Sequence, residues 1–122
     1  MKHHIGTDII EIARIEEAIT RWGERFLNRV YTESELRLYH KNLSSLAVRF
    51  AGKEAVIKAL GPRDKRIGWK EIEILSEPNG KPAVQLYGEA QNQANSLGLD
   101  KLDISLSHSR EYAVAFVMGT TK

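Results

Sequence analysis

Ser44-Ser45-Leu46-Ala47-Val48-Arg49-Phe50-Ala51-Gly52-Lys53-Glu54-Ala55-Val56-Ile57-Lys58-Ala59-Leu60 is helix-rich in composition along its whole length, and Gly61-Pro62 stops it. The stretch is apolar on nearly every side, the pattern of a helix buried inside a fold. At ~100° per residue, Glu54 and Lys58 share one face with Ala47 and Ala51. Phe50 and Ile57 flank that face on one side and Ala55 flanks it on the other. A charged pair among alanines has two readings. One is a concave strip where a large group approaches the backbone; the other is an i,i+4 ion pair worth ~0.2–0.5 kcal/mol.

Upstream, His3 to Ile10 reads as a strand carrying Gly6 and Asp8 inside an otherwise β-branched stretch. From Ile12 the period changes: Ile12, Ile15, Ile19, Trp22 and Phe26 recur at helical steps, with Gly23 as a candidate kink. Thr32 and Glu35 form a capping-box pattern that starts a short helix running to about Lys41. Downstream, Trp69 to Leu75 and Pro82 to Tyr87 flank a turn at Glu77-Pro78-Asn79-Gly80, a β-hairpin. Gly88 to Leu97 reads as a helix ended by Gly98. Leu102, Ile104 and Leu106 alternate with polar residues, a half-buried strand, and Tyr112 to Met118 predicts a final, more fully buried one. Helices come first and hairpins later. The expectation is therefore α+β: a mostly antiparallel sheet with a long helix packed on it.

A length of 122 residues predicts a single domain spanning 1–122. So small a domain buries a limited core, which makes oligomerisation an expectation. The absence of cysteine excludes a disulfide framework, thiolate catalysis and cysteine-based metal sites. The longest apolar run, Tyr112 to Met118, is far shorter than the ~20 residues of a membrane helix. With no signal-peptide pattern at Met1-Lys2-His3-His4-Ile5-Gly6, cytoplasmic residence is expected. A net charge of +2 is too small to mark a general nucleic-acid binder.

Chemistry concentrates in a few places. Asp8 lies in the strongest apolar strand of the N-terminal half, and a buried carboxylate needs a partner or a metal; alternatively it caps the helix that begins near Glu11. Leu106-Ser107-His108-Ser109-Arg110 ends a strand, where His108 is either a satisfied core or turn histidine or, with its neighbours, a phosphate contact. Arg14, Arg21 and Arg25 fall on one face of the first helix. That face is either solvated, with Glu17 and Glu24 as ion-pair partners, or a cationic ridge for an acidic protein. Arg63, Lys65, Arg66 and Lys70 form a further basic cluster, suited to phosphate or to a solvated loop.

Gly6-Thr7-Asp8, Arg49-Phe50-Ala51-Gly52-Lys53-Glu54-Ala55 with Lys58-Ala59, Asn79-Gly80-Lys81-Pro82, and Ser107-His108-Ser109 occur in that order across nearly the whole chain. Together they resemble the small bacterial holo-acyl-carrier-protein synthases, 4′-phosphopantetheinyl transferases of the trimeric type. Gly52, where such sequences often carry alanine, is a mild departure. The resemblance implies transfer of the 4′-phosphopantetheine arm of coenzyme A to a serine of apo-acyl carrier protein, releasing adenosine 3′,5′-bisphosphate. It implies that Asp8 and Glu54 hold one Mg²⁺ and that Lys58 lies against the pyrophosphate, making these three the catalytic set. Arg49, Lys58, His108 and Ser109 would contact coenzyme A phosphates, and Gly80, Lys81 and Pro82 would line its groove. Arg14 matches a family position that docks the acidic carrier protein; helical geometry extends the ridge to Arg21 and Arg25. A homotrimer with active sites between subunits is implied as well. The competing classes are a module that only docks an acidic protein, a Mg²⁺-dependent nucleotide hydrolase, and an RNA-binding domain. The last lacks the aromatic-rich strand motif that base stacking needs.

Overall fold

A computed structural model describes residues 2–61 and 66–122 of the chain. The chain opens with strand β1 (His3–Glu11), followed by helices α1 (Ile12–Trp22), α2 (Glu24–Val30), α3 (Glu33–Tyr39) and α4 (Leu43–Leu60). A single 3₁₀ turn at Trp69–Glu71 leads into β2 (Ile72–Ser76) and β3 (Pro82–Leu86). Helix α5 (Gly88–Leu97) and strands β4 (Leu99–His108) and β5 (Tyr112–Thr121) complete it. One antiparallel sheet has the order β1-β5-β4, and β2 pairs antiparallel with β3 in a second. The fold is the expected α+β arrangement.

Local chemistry explains the boundaries. Gly23 at φ 56° ends α1 and opens α2, so the first amphipathic run is two helices and not one kinked helix. Thr32 and Glu35 form the capping box of α3, each side chain taking the other's backbone N–H. Asn42 caps α4 by accepting from Ser45 N at 3.0 Å, which places the helix start just before the expected serines. The hairpin strands begin at Ile72, because Trp69 to Glu71 is spent on the 3₁₀ turn.

Helix α4 runs through the centre, with Ala47, Ala51, Ala55 and Val56 fully buried. Strands β1 and β5 lie against it on small side chains: Ala113, Ala115 and Val117 point inward and are also fully buried. The opposite face of β5 differs from expectation. Tyr112, Val114 and Phe116 are 36–43% exposed, and beside them on β1 Ile5 and Ile9 are 58% and 64% exposed. The apolar run Tyr112 to Met118 predicts a more fully buried strand. In a single chain α4 covers only one face, so burial alternates. No helix among the described residues is long and apolar enough to cross a membrane.

A buried ion pair ties the helical half to the hairpin. Lys53 Nζ lies 2.7 Å from Glu35 Oε1, and neither side chain is exposed. Lys53 also donates to the carbonyls of Trp69 and Ile72, while Glu35 Oε2 accepts from Ile74 N at 2.7 Å. Burial pulls the Lys53 ammonium below its ordinary pKa, against the attraction of Glu35. Such a pair costs desolvation, but every polar atom is matched, so its effect is to fix one geometry.

Candidate active site

The site begins with a glycine. A Cβ on Gly6 would stand 1.9 Å from the Ala55 carbonyl oxygen and 2.9 Å from Ala59 N, so only glycine lets β1 lie on the α4 backbone. Strand side chains alternate, so Asp8, two residues on, faces the same helix. There Lys58 Nζ donates to Asp8 Oδ1 at 3.0 Å and to the Thr7 carbonyl at 3.0 Å. Asp8 lies mid-strand opposite Ala115, and α1 has no side-chain cap; the helix-capping reading does not hold.

Glu54 lies one turn before Lys58 on α4, but its hydrogen bond goes elsewhere: Oε2 accepts from the Trp69 indole N–H at 2.7 Å. The simple i,i+4 pair is absent among the described residues, with Lys58 committed to β1 and Glu54 to the 3₁₀ turn. The second oxygens, Asp8 Oδ2 and Glu54 Oε1, carry no hydrogen bond among the described residues. Two half-satisfied carboxylates on facing elements are hard oxygen donors and fit a Mg²⁺ ion that keeps most of its waters. The described residues hold no cluster of three or more His, Asp and Glu that would form a fuller protein cage.

His108 ends β4 opposite Ala113, exposed, with Nδ1 3.4 Å from the Ser109 carbonyl. Ser109 Oγ accepts from Tyr112 N at 3.1 Å and Glu111 N at 3.4 Å, closing the β4–β5 turn. Gly80 turns the β2–β3 hairpin at φ 88°, and Lys81 N donates to Asn79 Oδ1 at 3.0 Å. Lys81 and Pro82 line an open groove of about 690 Å³ with Ser105, Phe116 and Met118, in the size range of small-molecule sites. This groove lies at the β4 edge of the sheet, whereas Asp8 is on β1 at the other edge. Within one chain Lys58 meets Asp8, Glu54 lies one turn before Lys58 on α4, and the hairpin residues lie at the other edge of the sheet.

Arg49 is placed differently from the phosphate contact its motif implies. It is buried, donating from Nε to Ile74 O at 2.9 Å, from Nη1 to Ser45 O at 3.3 Å and from Nη2 to Ser76 Oγ at 3.2 Å. Its guanidinium carbon also stands 3.6 Å from the Tyr39 ring centroid. The arginine ridge is corrected too: Arg14 and Arg21 lie on α1 but Arg25 on α2, because helical extrapolation fails across Gly23. Arg14 Nε pairs with Glu11 at 3.1 Å, Arg21 stacks on Trp22, and Arg25 lines a groove with Phe26, Arg29 and Trp69. Of the basic cluster, Arg63 and Lys65 lie outside the described residues, and Lys70 borders the groove containing Glu54.

The sequence reading missed the Glu35–Lys53 pair and Trp69. A lysine in the middle of a helix apolar on every side was a usable signal for Lys53. Nothing in the spacing pointed Trp69 at Glu54.

Known proteins share this sequence pattern and fold. The sequence profile of the 4′-phosphopantetheinyl transferase superfamily matches residues 4–117. The holo-[acyl-carrier-protein] synthase of Dehalococcoides mccartyi strain CBDB1 is 56% identical over 116 residues, covering 95% of this chain and 97% of that protein. That of Chlamydia felis is 51% identical, with 95% of each chain covered. Among solved structures, Helicobacter pylori holo-[acyl-carrier-protein] synthase in complex with coenzyme A superposes with a TM-score of 0.85 at 35% identity, covering 95% of this chain and 99% of that one. The Neisseria meningitidis synthase gives 0.87 at 30% identity, covering 97% and 98%. With its motifs in order, its fold matched end to end and half its residues shared with relatives, the chain belongs to the holo-[acyl-carrier-protein] synthase family of 4′-phosphopantetheinyl transferases.

Proposed function

We propose that this enzyme moves the 4′-phosphopantetheine arm of coenzyme A to apo-acyl carrier protein with Mg²⁺ held by Asp8 and Glu54. The carrier serine oxygen attacks the phosphorus bearing pantetheine, and the pyrophosphate P–O bond breaks. Adenosine 3′,5′-bisphosphate leaves, and the serine proton passes to Glu54, Asp8 or a water. The observation that carries this reading is the contact of Lys58 with Asp8 where β1 crosses α4, with Glu54 one turn before Lys58 on the same helix. The metal supplies charge neutralisation at the transferring phosphate. Lys58, half-exposed and already aimed at Asp8, stabilises the departing phosphate. Positioning and charge are the main sources of catalysis in such reactions.

His108 and Ser109 contact coenzyme A phosphates, and Gly80, Lys81 and Pro82 line its groove. Arg49 acts from beneath: its bonds to Ile74 and Ser76 brace the hairpin that carries Gly80 to Pro82. The docking surface for an acidic carrier protein is formed by Arg14, Arg21 and Arg25 across α1 and α2. Residues 1–122 form one domain, supported by Ile10 and Leu106, each of which packs against both the buried cluster around Ala55 and Ile74 and the one around Ile15 and Leu46. The working assembly is a homotrimer, and residence is cytoplasmic. Two observations support the trimer: the bare apolar sheet face around Ile5, Ile9, Val114 and Phe116, and the separation of the hairpin from the carboxylates within one chain.

Chelation tests the metal: transfer stops in EDTA and returns on adding Mg²⁺, and Asp8→Asn stays inactive throughout. Mixing tests the assembly. Asp8→Ala and His108→Ala chains, each inactive alone, regain activity when unfolded and refolded together if each site draws on two subunits; no recovery contradicts shared sites.

A further inference from the structure

We propose that Trp69 is a positioning residue for Glu54, holding that carboxylate in the orientation in which it binds the divalent cation; the inference rests on the reading of Glu54 as a metal ligand. The indole N–H donates to Glu54 Oε2 at 2.7 Å. Indole nitrogen is a donor only, so it cannot compete for the cation and adds no charge to the site. By engaging one carboxylate oxygen it stops rotation of the carboxylate and leaves Oε1 without a hydrogen bond among the described residues.

The indole is itself fixed by the same helix. Its ring packs on Phe50, with centroids 5.8 Å apart and planes 37° from parallel. Its own carbonyl accepts from Lys53 Nζ at 3.0 Å, and Lys53 is locked by buried Glu35. Residues 50, 53 and 54 of α4 thus grip Trp69 by its ring face, its backbone and its N–H. The buried ion pair acquires a purpose from this: it sets the 3₁₀ turn so that a donor meets a ligand oxygen. Partners of this kind set metal affinity by about 10–100-fold.

The test measures Mn²⁺ binding by electron paramagnetic resonance in the presence of adenosine 3′,5′-bisphosphate, with no carrier protein. Trp69→Phe keeps ring packing without the donor; benzothienylalanine at position 69 keeps the two-ring shape as well. Both weaken Mn²⁺ binding about tenfold, while coenzyme A affinity measured without metal stays at the wild-type level. Wild-type Mn²⁺ affinity in the folded benzothienylalanine variant overturns the role of Trp69. A Glu54→Gln variant serves as reference: if it binds Mn²⁺ as tightly as wild type, the metal role of Glu54 falls first and that of Trp69 with it.

Discussion

Lys58 reaches from α4 to β1 and holds Asp8 Oδ1 at 3.0 Å, joining two residues fifty positions apart in sequence. The Lys58 side chain is 49% exposed, so the pair contributes little to stability, at most about 1 kcal/mol. In the proposed reaction its cation is worth more, set against a leaving phosphate. Lys58→Ala is expected to lower kcat by about 10²–10³-fold with a nearly unchanged unfolding midpoint. Turnover at saturating coenzyme A and carrier protein, compared with a thermal melt, checks both halves.

Arg14 stands exposed on α1, its Nε paired with Glu11. Arg14→Glu reverses a rim charge, so transfer should slow through a carrier-protein KM raised about tenfold. Coenzyme A affinity should be unchanged. Calorimetry with each ligand separates the two, and an equal loss for both would argue against the ridge.

Tyr31 carries a pH signature. It is 1% exposed and donates to Leu46 O at 2.6 Å. Burial first, then the charge of Glu35, holds its hydroxyl protonated far above the ordinary phenol range. The folded pKa lies above the unfolded one, so this stability is complete below about pH 10 and is lost as pH rises beyond it. The loss attributable to Tyr31 between about pH 9 and 11 is about 1.4 kcal/mol. Urea titrations should show Tyr31→Phe with a pH slope shallower by that amount.

The alanine common at the motif position of Gly52 would fit only if the end of the Ile74 side chain shifted. A Cβ there would meet Ile74 Cδ1 at 2.6 Å, inside a fully buried contact. Alanine gains about 1 kcal/mol of helix propensity, while overpacking costs about 1–3 kcal/mol. Gly52→Ala is expected to destabilise by about 1 kcal/mol, and Ile74→Val in the same chain should remove that penalty. A double-mutant cycle by denaturant unfolding reads the coupling directly.

How far the sequence alone reached follows from what kind of signal each feature leaves. The capping box at Thr32, the hairpin turn at Gly80 and the buried character of α4 are local patterns, and each was legible. The break at Gly23 was visible only as a glycine; that it splits the helix and moves Arg25 onto a new axis depends on backbone angles. The expected fuller burial of Tyr112 to Met118 holds on one face only, because α4 covers Ala113, Ala115 and Val117 and leaves Tyr112, Val114 and Phe116 exposed. Asp8, Glu54 and Lys58 stand out by charge in apolar surroundings, and the fold joins Lys58 to Asp8 while Glu54 bonds to Trp69. Arg49 and Trp69 depended on long-range packing that no spacing encodes: one motif arginine is folded inward under the hairpin, and one unremarked tryptophan holds the Glu54 carboxylate.

The most direct test is mass spectrometry of apo-acyl carrier protein incubated with this enzyme and coenzyme A. Three samples are compared: wild type with Mg²⁺, wild type with EDTA, and Glu54→Ala with Mg²⁺. The account predicts a mass gain of one phosphopantetheine arm in the first sample only, with adenosine 3′,5′-bisphosphate released in equal amount. Full transfer in the EDTA sample or by Glu54→Ala would contradict the metal-bound carboxylate pair at the crossing of β1 and α4.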